Sequence, residues 1–219
     1  MTLYKSLRSD NKSPITNFDY TPYLSKNGRP GKWLPKVDGL ELCASGYHGC
    51  KDGDILEYPN ANIYEIETKG AIQEGDDKFT AQQIRLIRKC EGWNEVTARL
   101  FACDCATRVL HILEKKHPED KRPRECIATA RKFAKGKATR KELAAARDAA
   151  WDAAGEAAFY AAGDAAWCAA WAAAGAAAGD AAWAAARDAA RDAAGAAAWA
   201  AAWDAEKKWQ ARRLLKLLK

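Results

Sequence analysis

From Arg147 onward, pairs of alanine recur every four residues, and a longer period lies over them. Asp148, Asp164 and Asp180 stand sixteen apart, as do Gly163, Gly179 and Gly195, and as do Trp151, Trp167, Trp183 and Trp199. Trp171 and Trp203 form a second series at twice that interval. The tract therefore reads as four units opening at Arg147, Gly163, Gly179 and Gly195, within a repeat region of 147–210. Alanine is the strongest helix former, so the local conformation is helical throughout.

Two tertiary arrangements satisfy this pattern. A single continuous helix would turn by about 100° per residue, so each sixteen-residue step would advance the phase by about 160° and spread the tryptophans around the circumference. Alternatively, each glycine ends one helix in the left-handed conformation and each Asp caps the next, so that short helices pack back and forth. The second arrangement buries the tryptophans and is the one expected here. Ice binding, which some alanine-rich repeats perform, is disfavoured by the bulky Trp series and by Asp and Arg scattered through the tract.

The rest of the chain is organised differently. Up to about residue 90, turn signals at Asn27-Gly28, Gly31, Gly39, Gly46, Gly49 and Asp52-Gly53 separate short runs with strand character. Ile55–Tyr58, Asn62–Glu67 and Gln82–Ile87 are the expected strands. After Asn94, a candidate N-cap, apolar residues from Val96 to Leu113 recur at helical spacing until His117-Pro118. Pro123, at an expected N1 position, opens a second helix that stops near Gly136. Thr139 and Glu142 have the spacing of a capping box and start a third. The expected fold is thus α+β: a small β-rich domain over 1–90, then an all-α, alanine-rich helical array over 91–219.

Composition narrows the function. Nearly half of the 219 residues are hydrophobic, but much of that is alanine, which has little area to bury; nine Trp and seven Tyr must supply much of the core. Seven cysteines, an odd number, follow a start (Met1-Thr-Leu-Tyr-Lys5) without the pattern of a secretory signal, which predicts free thiols in a reducing cytoplasm. Asp and Arg interrupt every apolar run before it reaches membrane-spanning length. No phosphate loop, Ser/His/Asp grouping or paired-carboxylate motif is present, so the reading leans away from catalysis and needs no cofactor.

Three clusters are candidate sites. Cys43, His48 and Cys50 are the densest set of possible zinc ligands, although zinc takes four donors and no fourth stands nearby. Lys207–Lys219 forms a basic amphipathic helix with Leu214, Leu215, Leu217 and Leu218 on one arc; its expected role is to cap the last repeat, with an acidic partner or nucleic acid as alternatives. Trp171, Arg187, Arg191 and Trp203 depart from the sixteen-residue frame and, with Lys208, Arg212 and Arg213, are the candidate partner contacts, because aromatic and Arg side chains anchor interfaces.

Two resemblances extend this reading. The stretch Leu100–Leu113, with its Cys103-Asp-Cys105, then His117–Arg131 and the alanine-rich units, resembles an immunity-protein family found beside bacterial toxin systems, over about residues 93–206. Leu3-Tyr-Lys5, Cys43–Cys50 and Tyr64–Glu67 resemble a small domain common in phage and prophage proteins, itself distantly similar to ADP-ribosyltransferase-like folds. Together they imply a non-enzymatic, cytoplasmic counter-defence protein that binds a bacterial defence complex or toxin. The second also implies an alternative, a nucleotide- or ADP-ribose-related binder or enzyme centred on Tyr47 and His48, for which no convincing catalytic Glu is present.

Overall fold

Short strands close on one another in the first ninety residues because no single pair of them buries enough side chain to stand alone. The computed structural model describes residues 1–160, 189–196 and 203–219. In it, β1 (Leu3–Leu7), β2 (Tyr47–Lys51), β3 (Asn62–Glu74) and β4 (Phe79–Lys89) form a closed barrel in the order β1-β2-β4-β3. Every pairing is antiparallel, with Tyr4 opposite both Cys50 and Glu65, and His48 opposite Thr80. Closure satisfies the strand edges that an open sheet would leave unpaired. Where β2 stops, residues 31–37 take over: the amides of Gly31, Leu34 and Val37 donate to the carbonyls of Leu86, Ile84 and Gln82 on β4.

Leu7, Leu34, Tyr64, Ile66, Phe79, Ile84 and Leu86 fill the interior. Gly49 is required there, since a Cβ would come within 2.6 Å of the Phe79 ring. Lys5 shares the inward side of β1 with Leu3 and Leu7. Its Nζ donates to the His48 carbonyl at 2.7 Å and lies 5.3 Å from the centre of the Tyr20 ring. Burial pulls this ammonium down to about 8.

The alternating runs at Asn62–Glu67 and Gln82–Ile87 are strands, as their period-two pattern requires. Ile55–Tyr58 is not. Asp52–Glu57 is instead a 3-10 turn, and it buries the neighbours Ile55 and Leu56. Cys43–Gly46 forms a turn that leads into β2, whose side chains alternate too weakly in hydrophobicity to announce a strand.

From Glu95 onward every described element is a helix, joined by short turns. The helices are α1 (Glu95–Lys116), α2 (Arg122–Ala134), α3 (Arg140–Tyr160), a helical stretch over 189–196, and α4 (Trp203–Leu217). Pro123 occupies the second position of α2, one later than expected. Gly136, at φ +67°, ends α2: its amide donates to the Phe133 carbonyl and that of Lys137 to Lys132, the paired bonds of a Schellman motif. The capping box is present, with the Thr139 amide donating to Glu142 at 2.7 Å and the Glu142 amide to the Thr139 hydroxyl at 3.2 Å. α1 is the central helix. Phe101, Ala102, Cys103, Cys105, Ala106, Val109, Leu110 and Leu113 are all buried, whereas Val96 is exposed.

Two of the four unit openings lie among the described residues. Arg147 lies in the middle of α3, and Gly195 lies inside the helical stretch 189–196, so neither marks a junction. A helix-internal glycine costs only about 1 kcal/mol, which the surrounding alanines absorb. Trp151 is half exposed, so the array does not bury that member of the Trp series. A continuous helix is excluded at the other end. It would place Ala190 about 30 Å from Gln210, yet the Gln210 amide donates to the Ala190 carbonyl at 2.9 Å. Gly163 and Gly179 lie outside the described residues.

The chain divides into two compact units, Met1–Asn94 with Leu214–Lys219, and Glu95–Arg213. Leu214 and Leu218 are buried, and their segment groups with the first unit. The six described cysteines form no disulfide with one another, and all but Cys43 are buried. Among the described residues, no helix is long and apolar enough to cross a membrane.

Buried ionisable groups give the stability a defined pH dependence. Burial pushes the thiols of Cys50, Cys103 and Cys126 up to about 12 and that of Cys90 to about 11. Above pH ~9 the unfolded chain loses these protons while the folded chain keeps them, so stability falls toward pH 11. Lys5 acts in the opposite sense: its folded value near 8 lies below the unfolded 10.5. Stability from Lys5 therefore rises between pH 8 and 10.5, where only the unfolded chain holds the proton. Urea unfolding of wild type and Lys5→Met should show wild type gaining on the variant by on the order of 2–3 kcal/mol from pH 7 to 10. A constant difference across that range would mean that Lys5 is not buried as an ammonium.

Candidate partner-binding surface

α4 has two chemically distinct faces, and the inner one is occupied. Glu206 and Gln210 lie one turn apart and are both buried, with Arg213 on the same side. Glu206 accepts from Arg108 Nε at 2.8 Å and from the Gln210 amide at 3.1 Å. The Arg108 guanidinium also stacks on the Trp209 ring, 4.3 Å from its centre. One turn back on α1, Asp104 joins three helices. Its two oxygens take Arg131 of α2 and Arg213 of α4, each at 2.8 Å. Arg131 additionally donates to the Thr107 hydroxyl. Planar guanidinium groups suit such bridging because their donors diverge at fixed angles.

Arg213 is therefore an intramolecular brace, not a free contact as the sequence suggested. The i,i+4 pattern of α4 decides this: positions 206, 210 and 213 face inward, and 208 and 212 face away. Lys208 and Arg212 are exposed and form no ion pair among the described residues. Arg191, in the helical stretch 189–196, is likewise exposed. Trp203 opens α4, with its side chain outside the described residues, and Trp171 and Arg187 lie outside them altogether. The structure adds Trp151 on α3, half exposed between the exposed Asp148 and Asp152. Its membership of the sixteen-residue series made it look like a packing residue and concealed it.

The Cys43/His48/Cys50 set is not assembled. No group of three metal-ligating side chains is gathered anywhere among the described residues. His48 Nε2 accepts the Cys43 amide at 2.8 Å, which places the ring's proton on Nδ1. Burial first, then the nearby Lys5 ammonium, lowers the His48 pKa, so the neutral ring is favoured. The Tyr47 hydroxyl donates to the Pro35 carbonyl at 2.9 Å. Both residues thus hold the loop before β2.

These features define a class: a helical module braced by buried charge pairs, carried on a chain that also forms a small closed β-barrel. The helical part matches the family model described as "Imm-5 like putative immunity protein" over residues 88–217, and the chain belongs to that family. The match takes in α1 to α4 and leaves nearly all of the barrel outside it. No curated protein matches the chain, and no solved structure does.

The two faces of α4 should separate in mutagenesis. Asp104→Asn keeps the volume but leaves Arg131 and Arg213 facing a neutral amide. With both guanidiniums about one-third exposed, solvent screening limits the loss to about 2 kcal/mol. Arg212→Gln should change stability by less than about 0.5 kcal/mol. Equal losses in chemical denaturation would refute the division of faces.

Proposed function

We propose that the protein is a non-enzymatic, immunity-type inhibitor of phage or mobile-element origin. It acts in the cytoplasm of a bacterial host by binding a toxin or defence complex and blocking it through protein–protein contact. The family match over 88–217 carries this reading. The resemblance of the N-terminal residues to a phage-associated domain supports the origin. Lys208 and Arg212, with Arg191 and Trp151, are the described contacts: charged or aromatic, exposed, and on helices braced from behind. A cationic face of this kind selects an acidic patch on the target and speeds encounter with it.

Co-expression with a panel of bacterial toxins and defence effectors should identify one whose growth inhibition the protein relieves. Lys208→Glu and Arg212→Glu should each weaken binding of that target by about tenfold, chiefly by slowing association, with the helical content unchanged. Inhibition should saturate at one equivalent. Inactivation of many equivalents per molecule would identify an enzyme instead, and intact rescue by the double reversal would place the contact elsewhere.

A further inference from the structure

Between Asp19 and Asp38 the chain carries four cations and no acidic residue. Lys36 pairs with Asp38, but Lys26, Arg29 and Lys32 form no ion pair among the described residues. Lys26 and Arg29 face each other directly across a β-bridge. The bridge is closed by Asn27 and Gly28, both at positive φ, the geometry of a type I′ turn. Like charges placed opposite one another in this way are destabilising. Nothing in the fold requires them, since both side chains are exposed and the bridge itself is made by backbone atoms. The repulsion is relieved if an anion sits between them.

A place for one exists. Lys26, Arg29 and Lys32 line a depression of about 640 Å³ whose remaining wall includes Pro22, Leu24 and Pro30. That is the size of a small-molecule site, and it combines a cationic side with an apolar one. Its floor is fixed. Gly31 passes so close to Tyr23 that a Cβ would come within 1.9 Å of the Tyr23 carbonyl, and the Gly31 amide is tied to Leu86 of β4. Three cations match the charge of an oligophosphate, and the Pro/Leu wall offers an apolar surface to the flat face of a base. We infer that this depression binds a nucleoside di- or triphosphate, with Lys26, Arg29 and Lys32 holding the phosphates. It is separate from Tyr47 and His48 and does not rest on the inhibitor reading.

Calorimetric titration of the full chain with ADP, ATP, pyrophosphate and adenosine tests it. ADP and ATP should bind more tightly than pyrophosphate, which lacks a base for the apolar wall. Adenosine should bind weakest, and ATP affinity should fall as salt rises from about 50 to 200 mM. Arg29→Glu should weaken ATP binding at least tenfold or so while leaving Tm unchanged or higher, because Lys26 then faces a carboxylate. A Tm at or above that of wild type shows that the variant is folded, so unchanged ATP affinity in it overturns the site. Absence of binding at about 1 mM ADP and ATP overturns it equally. Displacement of ADP by a single-stranded oligonucleotide at lower concentration than by ATP would overturn the nucleotide assignment in favour of a nucleic-acid groove.

Discussion

A helical unit rich in alanine has little apolar area with which to hold its helices together, and Asp104 answers that constraint. From the middle of α1 it takes one guanidinium from α2 and one from α4. Its carboxylate is mostly buried, so removing it from water costs several kcal/mol, which only well-placed partners offset. Two Arg residues provide them, and the pair Arg108–Glu206 with the Gln210–Ala190 bond repeats the device earlier in α4. Shape complementarity between alanine faces would permit several registers. Charge pairs with fixed geometry select one.

The barrel meets a different constraint. Four strands enclose a narrow interior, so residues there must be either large and apolar or absent. Gly49 beside Phe79 shows the second case. Lys5 is the exception, an ammonium on the inward side of β1 kept by one hydrogen bond to the His48 carbonyl. His48 itself accepts the Cys43 amide, so amine, imidazole and loop form a connected set that fixes the entry to β2. What looked in sequence like a metal-ligand cluster is the internal bonding of a loop.

Bracing from behind gives the outward residues their freedom. Because Arg213, Glu206 and Gln210 already position α4, Lys208 and Arg212 carry no structural duty. Such positions can change at little cost in stability.

Local chemistry was legible in the sequence. The Thr139/Glu142 capping box, the Gly136 terminus, the helix from Glu95 and the two alternating strands each depend on residues within a few positions of one another, so their pattern is sufficient. β2 and the turn at Asp52–Glu57 were not legible, because barrel closure decides them through partners roughly thirty to fifty residues away. The same limit governed the site. Arg212 and Arg213 are adjacent and chemically identical, and nothing near them in the chain tells which faces outward and which is a brace. Asp104, more than a hundred positions earlier, makes that choice. The regular spacing of Trp151 and Gly195 was likewise correct as a pattern and misleading as geometry. A period in sequence specifies recurrence along the chain, whereas burial and helix ends are settled by what packs alongside.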